Sequence, residues 1–80
     1  MREYIATFHT HLSALMTSRS LTELGVRAQM MPVPRKLSSS CGTCVRYHAE
    51  DPNLGAMDVD VEGVYEKTGN DTYVLLMERC

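Results

Sequence analysis

The fold is decided by residues 3–31, EYIATFHTHLSALMTSRSLTELGVRAQMM, which carry the signals of a strand, a helix and a second strand in succession. The Tyr, Ile, Thr and Phe residues at the start favour a strand over residues 3–8. Thr10 is a suitable N-cap, and Gly25 is a natural left-handed stop, so a helix is predicted over residues 10–24.

The predicted helix carries apolar residues on two sides. At about 100° per residue, one stripe is formed by Ala14, Leu21 and Leu24. We expect this stripe to pack on the sheet. The roughly opposite side is also apolar, with Leu12, Leu15 and Met16. These three residues are either scattered surface residues or the contact with a second subunit, so a homodimer is one expected partner.

Strand patterns dominate the chain after the helix. Residues 26–31 alternate, which predicts a half-buried strand with an inward side formed by Val26, Ala28 and Met30. Two prolines end this strand, because proline has no N–H for a ladder. A serine-rich loop over residues 35–43 and a third strand over residues 44–48 follow. Residues 49–57 contain a proline and a glycine, and can form only a short helical turn.

The last part of the chain predicts two strands, over residues 59–66 and 72–79, joined by a hairpin turn at residues 68–71. The complete order is βαββ(short α)ββ. It favours an α+β ferredoxin-like sandwich with an antiparallel or mixed sheet and one open face. A right-handed crossover, a reduced second helix and a C-terminal hairpin are further expectations. With 80 residues, we expect a single domain over residues 1–80.

Composition and charge limit the class of function. The chain is 44% hydrophobic and 22% charged, which is the ordinary range of globular proteins. No signal peptide or membrane-spanning stretch is visible, so a cytoplasmic location is expected. Residues 1–48 hold six basic and two acidic side chains, whereas residues 49–80 hold two basic and eight acidic ones. A nucleic-acid partner would require a stronger basic excess, so none is expected.

The chemistry is predicted to reside in the thiol pair Cys41 and Cys44, in a C-x-x-C arrangement. Thiolate is the reactive form of cysteine, and nearby cations or converging N–H groups favour it. Arg35, Lys36 and Arg46 are the expected cations. Gly42 permits an anion-binding turn, and hydroxyl donors are available from Ser38, Ser39 and Ser40. The spacing leaves open whether the two sulfurs form a disulfide or share a metal.

The residues around this pair resemble a known family. The segments YIATF at residues 4–8, LGV at residues 24–26 and PVPRKLSSSCG at residues 32–42 look like those of the Se/S carrier-like family, and residues 62–66, EGVYE, resemble its closing strand. The resemblance implies a carrier that holds sulfur, as a persulfide, or selenium on Cys41. It implies donor and acceptor proteins as partners, no cofactor, and a carrier rather than an enzyme. Cys44 departs from the family pattern and adds a thiol that could release or guard the cargo.

Two other functions remain open from the sequence. Cys41 and Cys44 could work as a thiol–disulfide oxidoreductase, although the strand–C-x-x-C–helix order of thioredoxin-like enzymes is missing. His48 and Cys80 could join the pair in a zinc site, but His48 would lie about 13 Å from Cys44 along a strand. Metal ligands are therefore not predicted.

The remaining polar candidates have simpler interpretations. His9 and His11 could bind metal or transfer protons, but surface imidazoles at a helix start are the favoured interpretation. The acidic residues Asp58, Asp60 and Glu62 alternate with apolar ones, as on the outer face of a strand.

Overall fold

The computed structural model describes residues 1–79. Its elements are β1 (Arg2–Phe8), α1 (His11–Glu23), β2 (Arg27–Pro32), β3 (Thr43–Ala49), the short 3₁₀ helix η1 (Leu54–Ala56), β4 (Val61–Gly69) and β5 (Thr72–Glu78). The predicted order of elements is thus confirmed. Within residues 1–79, neither helix has the length and apolar character needed to cross a membrane.

The five strands form one antiparallel sheet in the order β2-β3-β1-β4-β5. β1 and β2 run in the same direction with β3 between them, so α1 connects two strands that are not neighbours. β4 and β5 form the predicted C-terminal hairpin. The molecule is therefore an α+β protein with one full helix.

The core lies between α1 and one face of the sheet. Ala14 and Leu21 of α1 are fully buried there against a cluster of strand residues, namely Tyr4, Ala6, Phe8, Val45, Tyr47, Ala49, Val61 and Val64. Val26, Ala28 and Met30 pack at its margin, as their alternation predicts. Thr10 caps α1 by accepting a hydrogen bond from the Ser13 backbone N–H at 3.1 Å.

Two details of the prediction are wrong. Leu24 was expected on the buried stripe, but it is 63% exposed, because the helix ends before it and the chain turns at Gly25. The strand predicted from residue 59 begins at Val61, because residues 58–61 form a turn closed by a Val61 N–H to Asp58 O bond of 3.1 Å. Val59 is consequently exposed.

The opposite face of the sheet is not covered by a helix. By strand alternation, Ile5, Thr7 and Cys44 point to this face, yet all three are buried at 1% exposure or less. Longer polar side chains border the same face, and the Glu3 carboxylate lies 3.6 to 4.0 Å from side-chain nitrogens of Arg46, His48 and Lys67. These polar side chains surround Ile5, Thr7 and Cys44 and shield them from solvent.

Candidate functional site

The cysteine-bearing loop connects β2 to β3. It is closed at its base by the Val33 N–H, which donates to Gly42 O at 3.2 Å, and a tight turn forms where the Leu37 N–H donates to Pro34 O at 3.0 Å. Gly42 has φ of +75°, a left-handed conformation that favours glycine. A Cβ at this position would meet no atom within 4 Å, so the requirement for glycine is conformational and not one of space.

Cys41 is a free, partly exposed thiol at the end of this loop. Its S–H is within hydrogen-bonding distance of Phe8 O at 3.3 Å and of Thr43 O at 3.5 Å. The Ser39 hydroxyl lies 3.8 Å from Sγ. The side chain also packs against the core under α1. The sulfur is therefore held in a defined position against β1 while part of it remains accessible.

The three serines before Cys41 do different things. The Ser39 hydroxyl donates to Phe8 O at 2.7 Å, which fixes the loop to the end of β1. The Ser40 N–H and hydroxyl both donate to the Glu62 carboxylate, at 3.1 and 2.8 Å. Ser38 is exposed. Of the three predicted hydroxyl donors, Ser39 is the one that the structure brings to Cys41.

Glu62, at the start of β4, is the main anchor of the loop. Partial desolvation opposes its ionisation, but the two hydrogen bonds from Ser40 and the nearby His9 lower the pKa of its carboxyl below the usual 4.5. His9 Nδ1 lies 3.4 Å from Glu62 Oε2 and 3.5 Å from the Ser40 hydroxyl. An ionised carboxylate thus holds the backbone next to Cys41.

The two histidines that follow β1 both lie beside the loop. His9 joins the Glu62 cluster, and His11 Nδ1 lies 3.4 Å from the Thr43 hydroxyl. This neighbourhood was not predicted. His9 directly follows the strand predicted over residues 3–8, but Glu62 lies in the middle of the strand predicted over residues 59–66, so no local signal placed it beside the loop.

The predicted cations are not part of this cluster. Arg35 and Lys36 are exposed, and within residues 1–79 neither makes a hydrogen bond or ion pair with another side chain. Arg46 lies on the uncovered face of the sheet, where it donates to Gln29 Oε1 at 3.2 Å. The geometry therefore provides a carboxylate anchor for the loop, and the hydrogen bonds and ion pairs of this anchor involve none of the three predicted cations.

Cys44 differs from Cys41 in its exposure to solvent and in its position in the sheet. It is the second residue of β3, is 0% exposed, and its S–H lies 3.7 Å from Pro32 O. Burial raises the pKa of its thiol to about 11, and the favourable charge of Arg46 offsets only part of this effect. Both cysteines are free. Cys44 is a core residue of the uncovered face, whereas Cys41 packs at the margin of the core under α1.

Within the described residues, no group of three His, Cys, Asp or Glu side chains is placed to hold a metal ion. His48 Nε2 lies 3.6 Å from the Glu3 carboxylate, and Cys80 lies outside the described residues. Asp58 accepts a hydrogen bond from the Ser13 hydroxyl at 2.8 Å and so fixes the chain before β4 to α1.

Comparisons with known proteins identify a family for this chain. No curated protein and no solved structure matches the chain. A family model does match, over residues 3–66, which include β1 to β3, the cysteine loop and Glu62. The match spans well over half of the 80 residues, and the chain belongs to the family described as "Putative Se/S carrier protein-like".

Proposed function

We propose that the protein carries sulfur or selenium on Cys41, bound to Sγ as a persulfide or a selenium-bearing group. The observation that carries the proposal is the contrast between its two described thiols. Cys41 is partly exposed on an anchored loop, whereas Cys44 is buried with its pKa raised to about 11. Since thiolate is the nucleophile, Cys41 is the residue that can exchange cargo with a partner.

The transfer requires no oxidant. Cys41 Sγ attacks the terminal sulfur of a persulfide on a donor protein. The donor's S–S bond breaks, an S–S bond forms on Cys41, and the donor leaves as a thiol that takes up the proton of Cys41. Delivery to an acceptor thiol is the same exchange in reverse. Donor and acceptor proteins are the partners that this chemistry needs.

The loop residues have separate roles in this proposal. Gly42 and Ser39 set the position of the sulfur, through the turn and the bond to Phe8 O. Ser40 connects the loop to Glu62. Ser38, Arg35 and Lys36 are exposed, so they are proposed to contact the partner or its cargo during transfer. The basic pair would suit an acidic docking surface.

Sulfur loading is the direct test. The full chain in a Cys80→Ser background is incubated with a cysteine desulfurase and cysteine, and its intact mass is measured without reductant. We expect one added sulfur atom, absent in Cys41→Ser and retained in the matched control Cys44→Ser. An unmodified protein, or an adduct that persists in Cys41→Ser, would refute the carrier role.

The oxidoreductase alternative has less support. Cys41 and Cys44 are both free thiols, and Cys44, at 0% exposure, is not accessible to the partner of a thiol–disulfide exchange. The zinc alternative lacks a third ligand within residues 1–79. Metal analysis and a redox titration of the purified chain separate both alternatives from the carrier.

A ferredoxin-like fold and a cytoplasmic location are also part of the proposal. The order β2-β3-β1-β4, with α1 crossing from β1 to β2, supports a ferredoxin-like assignment in which η1 replaces the second helix and β5 is added. An odd count of three cysteines does not suit a secreted disulfide framework, which supports the cytoplasm.

A further inference from the structure

The polar contacts of the Cys41 sulfur are of two chemical kinds. Within residues 1–79, three polar atoms lie within hydrogen-bonding distance of Cys41 Sγ: Phe8 O at 3.3 Å, Thr43 O at 3.5 Å and the Ser39 hydroxyl oxygen at 3.8 Å. A backbone carbonyl can only accept a hydrogen bond, whereas a hydroxyl can donate or accept one. Of these three neighbours, Ser39 is the one that can donate to the sulfur.

The two carbonyls suit the neutral thiol. Each can accept the S–H of Cys41, and neither has a hydrogen to offer to a thiolate. When the S–H proton leaves, two oxygens with partial negative charge face a negative sulfur. Hydrogen bonds to the neutral form of a group disfavour its charged form. The reactive thiolate therefore gains most from a neighbour that can donate.

The partly buried Ser39 hydroxyl lies between Sγ and one of these carbonyls. It donates to Phe8 O at 2.7 Å, and in its contact with Sγ either atom can be the donor. Phe8 O also accepts from the S–H of Cys41. Because one acceptor serves both groups, ionisation of Cys41 affects both bonds. Rotation about the Cβ–Oγ bond of Ser39 is sufficient to move the hydroxyl hydrogen from Phe8 O to Sγ.

We propose that the Ser39 hydroxyl stabilises the thiolate of Cys41, by turning its hydrogen from Phe8 O to Sγ when the S–H proton leaves. A hydrogen bond to a charged acceptor is shorter and about twice as strong as a neutral one, which favours this exchange. During loading the proton passes to the departing thiolate of the donor protein. Once Sγ is part of an S–S or S–Se bond it carries no charge, and the hydroxyl returns to Phe8 O. The inference rests on the carrier role proposed for Cys41.

The ionisable side chains around the loop do not replace this donor. They lie on the loop itself or on elements that meet it: His9, His11, Arg35, Lys36, Cys44 and Glu62. Within residues 1–79, none of the six forms a hydrogen bond with Cys41 Sγ. Their charges act on the sulfur through space. They are identical in all variants of Ser39, so a comparison among these variants isolates the effect of the hydroxyl.

The proposal predicts a shift in the pH profile of Cys41 alkylation. The full chain in a Cys44→Ser, Cys80→Ser background is treated with iodoacetamide, which is uncharged and reacts with thiolate. The midpoint of the profile reports how readily Cys41 loses its proton, and the plateau at high pH reports access to Sγ. Ser39→Ala removes the donor and leaves both carbonyls in place. The thiolate fraction near neutral pH should fall about three- to tenfold, which raises the midpoint by about 0.5 to 1 pH unit.

A loosened loop gives a different result. The Ser40 hydroxyl donates to Glu62 and makes no hydrogen bond with Sγ within residues 1–79. Ser40→Ala should therefore raise the plateau and leave the midpoint unchanged. Ser39→Thr and Ser39→Val are a matched pair of nearly equal shape, of which only the first keeps a hydroxyl. We expect the wild-type midpoint in Ser39→Thr and a raised midpoint in Ser39→Val. Circular dichroism checks that every variant is folded.

Two results would overturn the role of Ser39: equal midpoints in the parent chain and Ser39→Ala, or equal midpoints in Ser39→Thr and Ser39→Val. Alkylation needs no sulfur donor, so its outcome is independent of the loading test. A shifted midpoint in a chain that takes up no sulfur would refute the carrier role and support the donor role of Ser39. Sulfur loading with an unshifted midpoint would refute only the donor role.

Discussion

Removal of the Glu62 carboxylate by Glu62→Ala should release the cysteine loop from β4. The carboxylate accepts two hydrogen bonds from Ser40, at 3.1 and 2.8 Å, and its side chain is 21% exposed. A hydrogen bond to a charged group contributes about 1.5–3 kcal/mol when it is buried, and less when solvent reaches it. With about 1 kcal/mol for each bond, we expect Glu62→Ala to lower the free energy of unfolding by about 1–2 kcal/mol.

Two measurements report the effect of Glu62→Ala. Urea unfolding reports the loss of stability, and the rate of Cys41 alkylation in a Cys44→Ser, Cys80→Ser background reports the freedom of the loop. A loss of about 1–2 kcal/mol corresponds to a 5- to 30-fold change in an equilibrium constant, so alkylation should accelerate by up to this factor. Ser40→Ala removes only the hydroxyl bond and should cost about half as much.

Glu66→Ala is the matched control on the same strand. The Glu66 carboxylate lies 3.9 Å from Arg2 Nε in an exposed pair, and we expect its loss to cost less than about 0.5 kcal/mol. The anchoring role of Glu62 is refuted if Glu62→Ala destabilises no more than Glu66→Ala and leaves the alkylation rate of Cys41 unchanged.

The same anchor predicts a pH dependence. The folded state lowers the pKa of Glu62 below 4.5, so the unfolded state binds the proton more readily. The stabilisation is therefore complete above pH 4.5 and is lost as the pH falls through the lower, folded value. Glu62→Gln lacks this contribution, and the difference in stability between wild type and Glu62→Gln should shrink on acidification. A constant difference would contradict this reasoning.

Four further predictions concern the core and the loop. In folded protein at neutral pH, peptide mapping should find alkylation on Cys41 and not on Cys44, and Cys44 should react only in urea. Because the pKa of Cys44 is raised to about 11, wild type should also lose stability between pH 9 and 11 more steeply than Cys44→Ala. Tyr4→Phe should be neutral or stabilising in thermal unfolding, since the buried Tyr4 hydroxyl has no hydrogen-bond partner within residues 1–79. Tyr47→Phe removes the hydrogen bond from the Tyr47 hydroxyl to Pro52 O, so it should lower the free energy of unfolding by about 1 kcal/mol. Gly42→Ala should cost about 1 kcal/mol in the same assay, because φ is +75°, and unchanged stability would show that this turn is not strained.

Local patterns were sufficient for most of the fold. The N-cap at Thr10, the turn at Gly25 and the alternation after it lie within a few residues of the elements that they define, so the sequence could predict α1 and β2. The start of β4 was missed by two residues, because Val59 has a strand propensity that the turn at residues 58–61 overrides. Leu24 was misplaced because helical periodicity does not show where the helix stops.

The candidate site was predictable only in part. The loop and Cys41 follow from residues 32–42, since a proline-bounded serine and glycine segment with a thiol has its own local signal. The role of Glu62 does not follow from the local sequence. It depends on the pairing of β1 with β4, which brings Glu62 beside a loop that lies more than 20 residues earlier in the chain. Arg35 and Lys36 were assigned to the sulfur by proximity in sequence, and this assignment stays a prediction.

Strand alternation explains why two thiols three positions apart have different chemistry. Cys41 precedes β3 and follows the loop toward β1, whereas Cys44 lies inside β3 and must point to one face of the sheet. The centre of that face is buried, so water cannot solvate a Cys44 thiolate. This burial raises the pKa of the Cys44 thiol. The proposed carrier role needs one accessible thiol, and Cys41 is the partly exposed one of the two. The alternation of β3 meets this condition even though the sequence contains a C-x-x-C motif, because it places Cys44 on the buried centre of the uncovered face.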